Sequence, residues 1–257
     1  MTRNLLFISL ILFFFLPFVL LLLLALGQYW QFPQVLPTNY TIDALARVLA
    51  ADSGLLSGLG LSLGVSSTVA VVATGLGFVI ARAIAKTARP DRWTTLSYLP
   101  YALPPVLLAV LIQPAIIGLH LSGSLGGVLL GLLLITLPFT TLFFRSFWSQ
   151  QAAQFEGLAL TLGCRPAQVM TRVLLPLARP LLVTCLFQTF LIGWFDFGLT
   201  SFLSVGKIRT LPVQVFIYIG EANSRLAAVA SLLLILPPAL LLWFNKTVMA
   251  PRIRAGL

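Results

Sequence analysis

Charge is what this chain has least of. Only 9% of its 257 residues are Asp, Glu, Lys or Arg, where soluble domains carry about 25%. With 59% hydrophobic residues and a mean hydropathy of +1.04, the composition excludes an ordinary soluble globule and makes the bilayer the solvent. Acids are scarcest, at six, and there is one histidine and two cysteines. So few donors make neither a catalytic constellation nor a metal set. Cys164 lies in a loop and Cys185 in an apolar span, so a disulfide is not expected. No GxxxxGK[ST] phosphate loop is present, so the chain is not expected to be an enzyme, to hydrolyse ATP or to bind a cofactor. The net charge of +10 comes in short patches between apolar runs. That argues against a nucleic-acid groove reader, which needs a continuous basic face.

What the chain does have is long apolar runs. Six are long enough to span at 1.5 Å per residue: Leu5–Leu26, Leu59–Ile80, Thr95–Leu119, Leu125–Phe144, Leu181–Leu203 and Ala227–Phe244. The first is longer than a signal-peptide core and reads as a retained anchor. Twelve of the 16 Lys and Arg residues fall on the side that holds both termini, and four on the other. The positive-inside bias therefore makes the termini cytoplasmic. The spans are interrupted. The second carries Ser62, Ser66, Ser67, Thr68, Thr74, Gly75 and Gly77, which allow close packing against protein. The third carries Pro100, Pro104, Pro105 and Pro114, the fourth Pro138, and the sixth Pro237-Pro238, and such breaks are frequent around transport pathways. An outer stretch, TIDALARVLA, is expected to form a surface helix capped by Thr41. LPVQVFIYIG is too short to span and reads as a re-entrant or interfacial helix.

Asp196, in FLIGWFDFGLTSF, is the acid set deepest in a span. Helical spacing places Ile192 and Gln188 on its stripe. A carboxylate at that depth costs at least about 2.5 kcal/mol, so it must face protein or water. It either lines a solute path or bonds neighbouring backbone and hydroxyls. Gln188 and Gln113, the latter beside Pro114, are the other candidate pathway groups.

The segment FEGLALTLGCRPAQVMTRVLLPLARP, Phe155 to Pro180, is a moderately polar island on the expected cytoplasmic side. Gly163 is placed to end one short helix and Pro166 to open a second. Leu158, Leu162, Val169 and Val173 supply apolar anchors, with Arg165 and Arg172 as a polar rim, the composition of a docking knob.

This loop resembles the EAA loop of permease subunits in type I, binding-protein-dependent ABC importers. Ala159, Thr161-Leu162-Gly163, Arg172-Val173, Leu175-Pro176-Leu177 and Arg179-Pro180 fall at the family's spacing. The head of the motif departs. The family's triplet falls on Gly157-Leu158-Ala159, so its glutamate position is Gly157, with Glu156 one residue earlier. LPYALPPVLLAV and the stretch from Phe190 to Tyr218, with its Thr210-Leu211-Pro212 step, look like the polyamine, ferric-iron, thiamine and sulfate branch.

The resemblance implies an all-α, six-span, MetI-like permease, with residues 1–257 as one domain and a coupling loop at 145–180. It implies contacts from Glu156, Gly157, Leu158, Ala159, Leu162, Gly163, Arg165, Pro166, Val169, Arg172, Val173 and Pro176 to an ATP-binding subunit that uses ATP and Mg. It further implies a second permease subunit, which completes the pathway, and an extracytoplasmic solute-binding protein. The cargo is expected to be a small polar solute or ion: polyamine, thiamine, ferric iron or an oxyanion. The alternatives are an ion-gradient transporter with Asp196 in the path, or a non-transporting membrane scaffold.

Overall fold

The computed structural model describes residues 2–28, 30, 36–42, 54–148 and 152–253. The surface helix expected over TIDALARVLA lies largely outside these residues. The chain is mostly helical, and its contacts group it into two compact units: residues 1–62 with 209–257, and residues 63–208.

In the first unit, α1 (Thr2–Leu26) carries a row of exposed phenylalanines, including Phe13, Phe14 and Phe15, as a lipid-facing helix should. Gly27–Gln28 (β1) then pairs antiparallel with Asn39–Tyr40 (β2). Gly27 is required here, because a Cβ would meet the Leu23 carbonyl oxygen at 2.8 Å and Pro37 at 2.9 Å. Arg225 ties this corner together. Its guanidinium donates to the Ala25 carbonyl at 3.2 Å and to the Thr41 carbonyl at 2.9 Å, and also to the Thr41 hydroxyl. A cation is favourable against the carbonyls that end a helix. Thr41 thus serves as an acceptor for Arg225.

The long helix α2 (Leu55–Ala85) begins in this unit and ends in the second. The short apolar helix, α9 (Leu211–Gly220), packs its N-terminal half inward. Its first N–H, on Leu211, donates to the Ser62 hydroxyl at 2.6 Å, and Gln214 donates to the Gly54 carbonyl at 3.0 Å. Gly58 leaves room for that glutamine, since a Cβ there would lie 2.5 Å from its amide nitrogen. The last helix, α10 (Ser224–Ile253), starts under the Asn223 side chain, which accepts from the Leu226 N–H at 3.2 Å, and packs on α1 and α9.

In the second unit, the third expected span does not form one helix. Residues 90–118 instead give α3 (Pro90–Ser97), a 3₁₀ turn (Leu99–Ala102) and α4 (Pro105–Gly118), with a bend of 99° between the two arms. Pro104 and Pro105 remove two successive donors, and a residue before proline avoids the helical region. Leu103 and Pro104 are accordingly extended.

After α5 (Leu125–Ser146), the short α6 (Ala152–Thr161) leads to α7, which runs unbroken from Pro166 to Trp194. The fifth expected span also breaks. α7 stops at Trp194, three residues turn, and α8 (Gly198–Ser204) packs on α4 and α5. Four helices, Leu55–Ala85, Leu125–Ser146, Pro166–Trp194 and Ser224–Leu241, are long and apolar enough to cross a bilayer. The bent pair makes a fifth candidate, and α1 adds a shorter apolar stretch, Leu12–Leu26. The fold is thus the expected all-α membrane type, while six full-length spans are not counted among the described residues.

The small and hydroxylated residues of α2 divide between two sides: Ser62, Ser66, Thr74 and Gly77 are buried, while Ser67, Thr68 and Gly75 are exposed. Gly77 lets α5 approach so closely that the Thr140 hydroxyl reaches the Ala73 carbonyl at 2.9 Å.

Candidate functional site: the loop helix and its anchor

α6 is ten residues long and has two faces. Ala152 and Ala159, seven residues apart, turn inward onto a cluster that includes Phe78, Phe144, Phe147, Trp148, Val169 and Leu174. Small residues here let the helix sit close on the aromatic layer. The opposite side stays bare. Leu158 is 63% exposed and Leu162 77%. Gly157 and Arg165 are exposed as well.

The helix ends as Gly163 dictates. Its φ is +83°. The Cys164 N–H bonds the Ala159 carbonyl at 3.1 Å and the Gly163 N–H bonds the Leu160 carbonyl at 3.0 Å. That is a Schellman closure, with glycine at the left-handed position. Three residues after Gly163, Pro166 opens α7, and Gln168 reaches back so that its Oε1 accepts the Arg165 N–H at 3.0 Å.

The second short helix expected here is the first turns of α7 and not a separate rod. Residues Val169–Leu174 take a π-helical winding just ahead of Pro176. Wider i→i+5 bonding near a donor-less proline keeps the helix continuous. One consequence corrects the expected anchor set. Val169, with 1% of its surface exposed, belongs to the interior cluster, and Ala159 does too. Val173 is half-buried, while Arg172 and Pro176 are exposed.

Glu156 occupies a third position, on the flank of α6. Its Oε1 accepts from Lys86 at 2.8 Å and from Arg82 at 3.2 Å, both at the end of α2. The Lys86 hydrogen bond, followed by that of Arg82, holds its carboxyl below the usual carboxylate range against partial burial. The Arg82 guanidinium also lies 5.5 Å over the Trp148 ring, and the Trp148 indole donates to the Phe78 carbonyl at 3.0 Å. Nearby, Arg145 on α5 pairs with Asp91 on α3 at 2.7 Å. Sequence reading assigned no role to Arg82, Lys86 or Trp148. The only signal was a basic end on α2, which the positive-inside count absorbed.

The candidate pathway groups sit on three different elements. Asp196 lies in the turn after α7, so the stripe with Ile192 and Gln188 is interrupted. Its carboxylate accepts from the Thr200 N–H and hydroxyl, both at 2.8 Å, and from the Leu199 N–H at 3.4 Å. It therefore caps α8. Gln188 is exposed on α7. Gln113 is half-buried on α4, and among the described residues its Oε1 has no hydrogen-bond partner.

Residues 73–255 match the family of binding-protein-dependent transport system inner membrane components. The chain belongs to this family. It is 30% identical over 215 residues to the molybdenum transport system permease protein ModB of Mycobacterium bovis, covering 77% of this chain and 79% of that one. PhnV of Salmonella paratyphi A, whose name assigns it to a 2-aminoethylphosphonate transport system as a permease protein, is 26% identical over 88% of this chain and 85% of its own. A solved chain of the inward-facing MetNI methionine ABC transporter superposes with a TM-score of 0.55 at 19% identity, over 77% of this chain and 95% of that one. This protein is thus a multi-pass membrane permease component of the ABC importer kind, with a MetI-like fold, and not an enzyme.

Proposed function

We propose that this permease docks an ATP-binding subunit through α6 and the start of α7, and that one apolar tip carries the contact. The observation behind this is the pairing of Leu158 and Leu162, bare on a short helix whose inner face is locked and whose end is closed by Gly163. Full burial of a leucine contributes about 1.5–3 kcal/mol, so these two side chains are the natural centre of an interface. Arg165 and Arg172 stand exposed beside them. The partner cleft that fits is apolar and rimmed by carboxylates.

On this reading the Lys and Arg residues around α6 mark the cytoplasmic side, and both termini lie there. Residues 1–257 act as one permease domain with six crossings, to which α1 and the bent α3–α4 arm each contribute one. A second permease subunit supplies the other half of the pathway, and an extracytoplasmic binding protein delivers cargo. The ATP and Mg act in the partner. We further propose a small oxyanion or phosphonate as cargo, since the names of two relatives point to molybdenum and to 2-aminoethylphosphonate. Cysteines placed at 158 and 162 should crosslink to a co-purified nucleotide-hydrolysing subunit. A purified complex in which no such subunit touches residues 155–180 refutes the docking role.

A further inference from the structure

We propose that Glu156 works inside this chain, as a strut that clamps α6 to the end of α2, and does not face the ATP-binding subunit. This rests on the docking reading above and sharpens it: the loop helix receives the push, and Glu156 passes it to α2.

Three observations carry the inference. First, Glu156 Oε1 is held by two cations at one helix end, Lys86 at 2.8 Å and Arg82 at 3.2 Å. Arg82 lies in the last turn of α2 and Lys86 directly follows the helix, its N–H still bonded to the Arg82 carbonyl at 3.3 Å, so the carboxylate is gripped by two side chains and not by a single flexible arm. Second, Arg82 is itself fixed. It lies against Trp148, whose indole is bonded to the Phe78 carbonyl, so the ion pair is continuous with the aromatic cluster on which Ala152 and Ala159 sit. Third, Glu156 is the only acid of α6. With its carboxylate engaged inward, the exposed part of the helix carries no charge.

The motif's glutamate position, Gly157, is one residue further on. One residue is about 100° around a helix, and Gly157 is exposed with open space where a side chain would start. An acid at 157 points away from Arg82 and Lys86. The shift from 157 to 156 thus exchanges an outward acid for an inward one. A rigid α6–α2 joint is what a transmitted rotation needs, because packed elements move as bodies between discrete arrangements.

The test uses the complex purified with its natural companions and reconstituted in nanodiscs. Spin labels go on cysteines introduced at Thr87 and Thr161, with Cys164 and Cys185 replaced by alanine. In the parent the label distance should be the same without nucleotide and with ATP plus vanadate. Glu156→Gln should broaden the distribution and make it respond to nucleotide, while the ATP-binding subunit stays bound at parent stoichiometry. The exchange Glu156→Lys with Lys86→Glu keeps one acid between two cations and should restore the narrow distance. Moving the acid, with Glu156→Gln and Gly157→Glu, should not.

Two kinds of result in the variant comparisons overturn the strut, and a third in Glu156→Gln alone. One is loss of the ATP-binding subunit from the Glu156→Gln complex while Lys86→Gln retains it; the other is rescue by the moved acid but not by the exchange. An unchanged distance in Glu156→Gln overturns it as well. A parent complex that contains no ATP-binding subunit is a separate outcome and refutes the docking reading itself. The distance arm then still judges the clamp, with detergent-solubilised permease before and after Glu156→Gln.

Discussion

Two glycines six residues apart in the loop should respond to the same substitution with opposite signs. Gly163 sits at φ +83° with no heavy atom within 4 Å of where a Cβ would be. Alanine there meets no clash, and its whole cost is the left-handed backbone, about 1–2 kcal/mol. That converts to about a 5- to 30-fold rise in the frayed population at the end of α6. Asparagine, which tolerates this region, should cost less, and valine more. Gly157 also faces open space, but inside α6 and without a positive φ. Alanine there removes the glycine penalty and should stabilise the helix by about 0.8–1 kcal/mol. Hydrogen exchange on peptides covering 156–168 reads both effects. Gly163→Ala should speed exchange of the Gly163-region and Cys164 amides, and Gly157→Ala should slow exchange across the helix. Equal or same-signed changes would refute the claim that the Schellman closure, and not crowding, fixes the end of the loop helix.

Leu162→Ala should weaken retention of the ATP-binding subunit about tenfold or more, at 1.4 kcal/mol per decade; unchanged co-purification removes Leu162 from the interface. Gly77→Ala places a methyl on the Thr140 hydroxyl and should cost about 1–3 kcal/mol, read as a lower melting temperature in detergent. Asp196→Ala strips three acceptor contacts from α8 and should cost about 0.5–2 kcal/mol, seen as faster exchange over 198–204. Asp196→Asn should recover part of it. Because the Glu156 pKa is lowered on folding, its stabilisation is complete above the ordinary carboxylate range and is lost only as pH falls through the lower folded value. The α2–α6 label distance should therefore be constant from pH 8 to about 5. In Lys86→Gln, which removes the leading cause of the shift, it should start to broaden at a higher pH.

The sequence by itself determined the solvent, the class and the loop. Scarce charge and long apolar runs leave a chain no stable place but the bilayer. The end of α6 at Gly163 was also legible, because a left-handed closure is a local property of one residue type. The proline breaks in the third span were readable as kinks, but not as a 99° turn, since the angle depends on what the freed arms pack against. The aspartate was readable only as a choice between path and cap. The tertiary structure supplies the bonds to α8, because α7 stops at Trp194 and lets the carboxylate turn onto it. Only the tertiary structure also sorted the loop's residues by direction. Val169 and Leu162 are both apolar and close in sequence, yet one is sealed in the cluster and the other is bare, because the π-helical start of α7 and the Schellman turn set the two segments at different phases. The grip of Arg82 and Lys86 on Glu156 joins residues 74 and 70 positions apart, and no local pattern encodes a contact of that range.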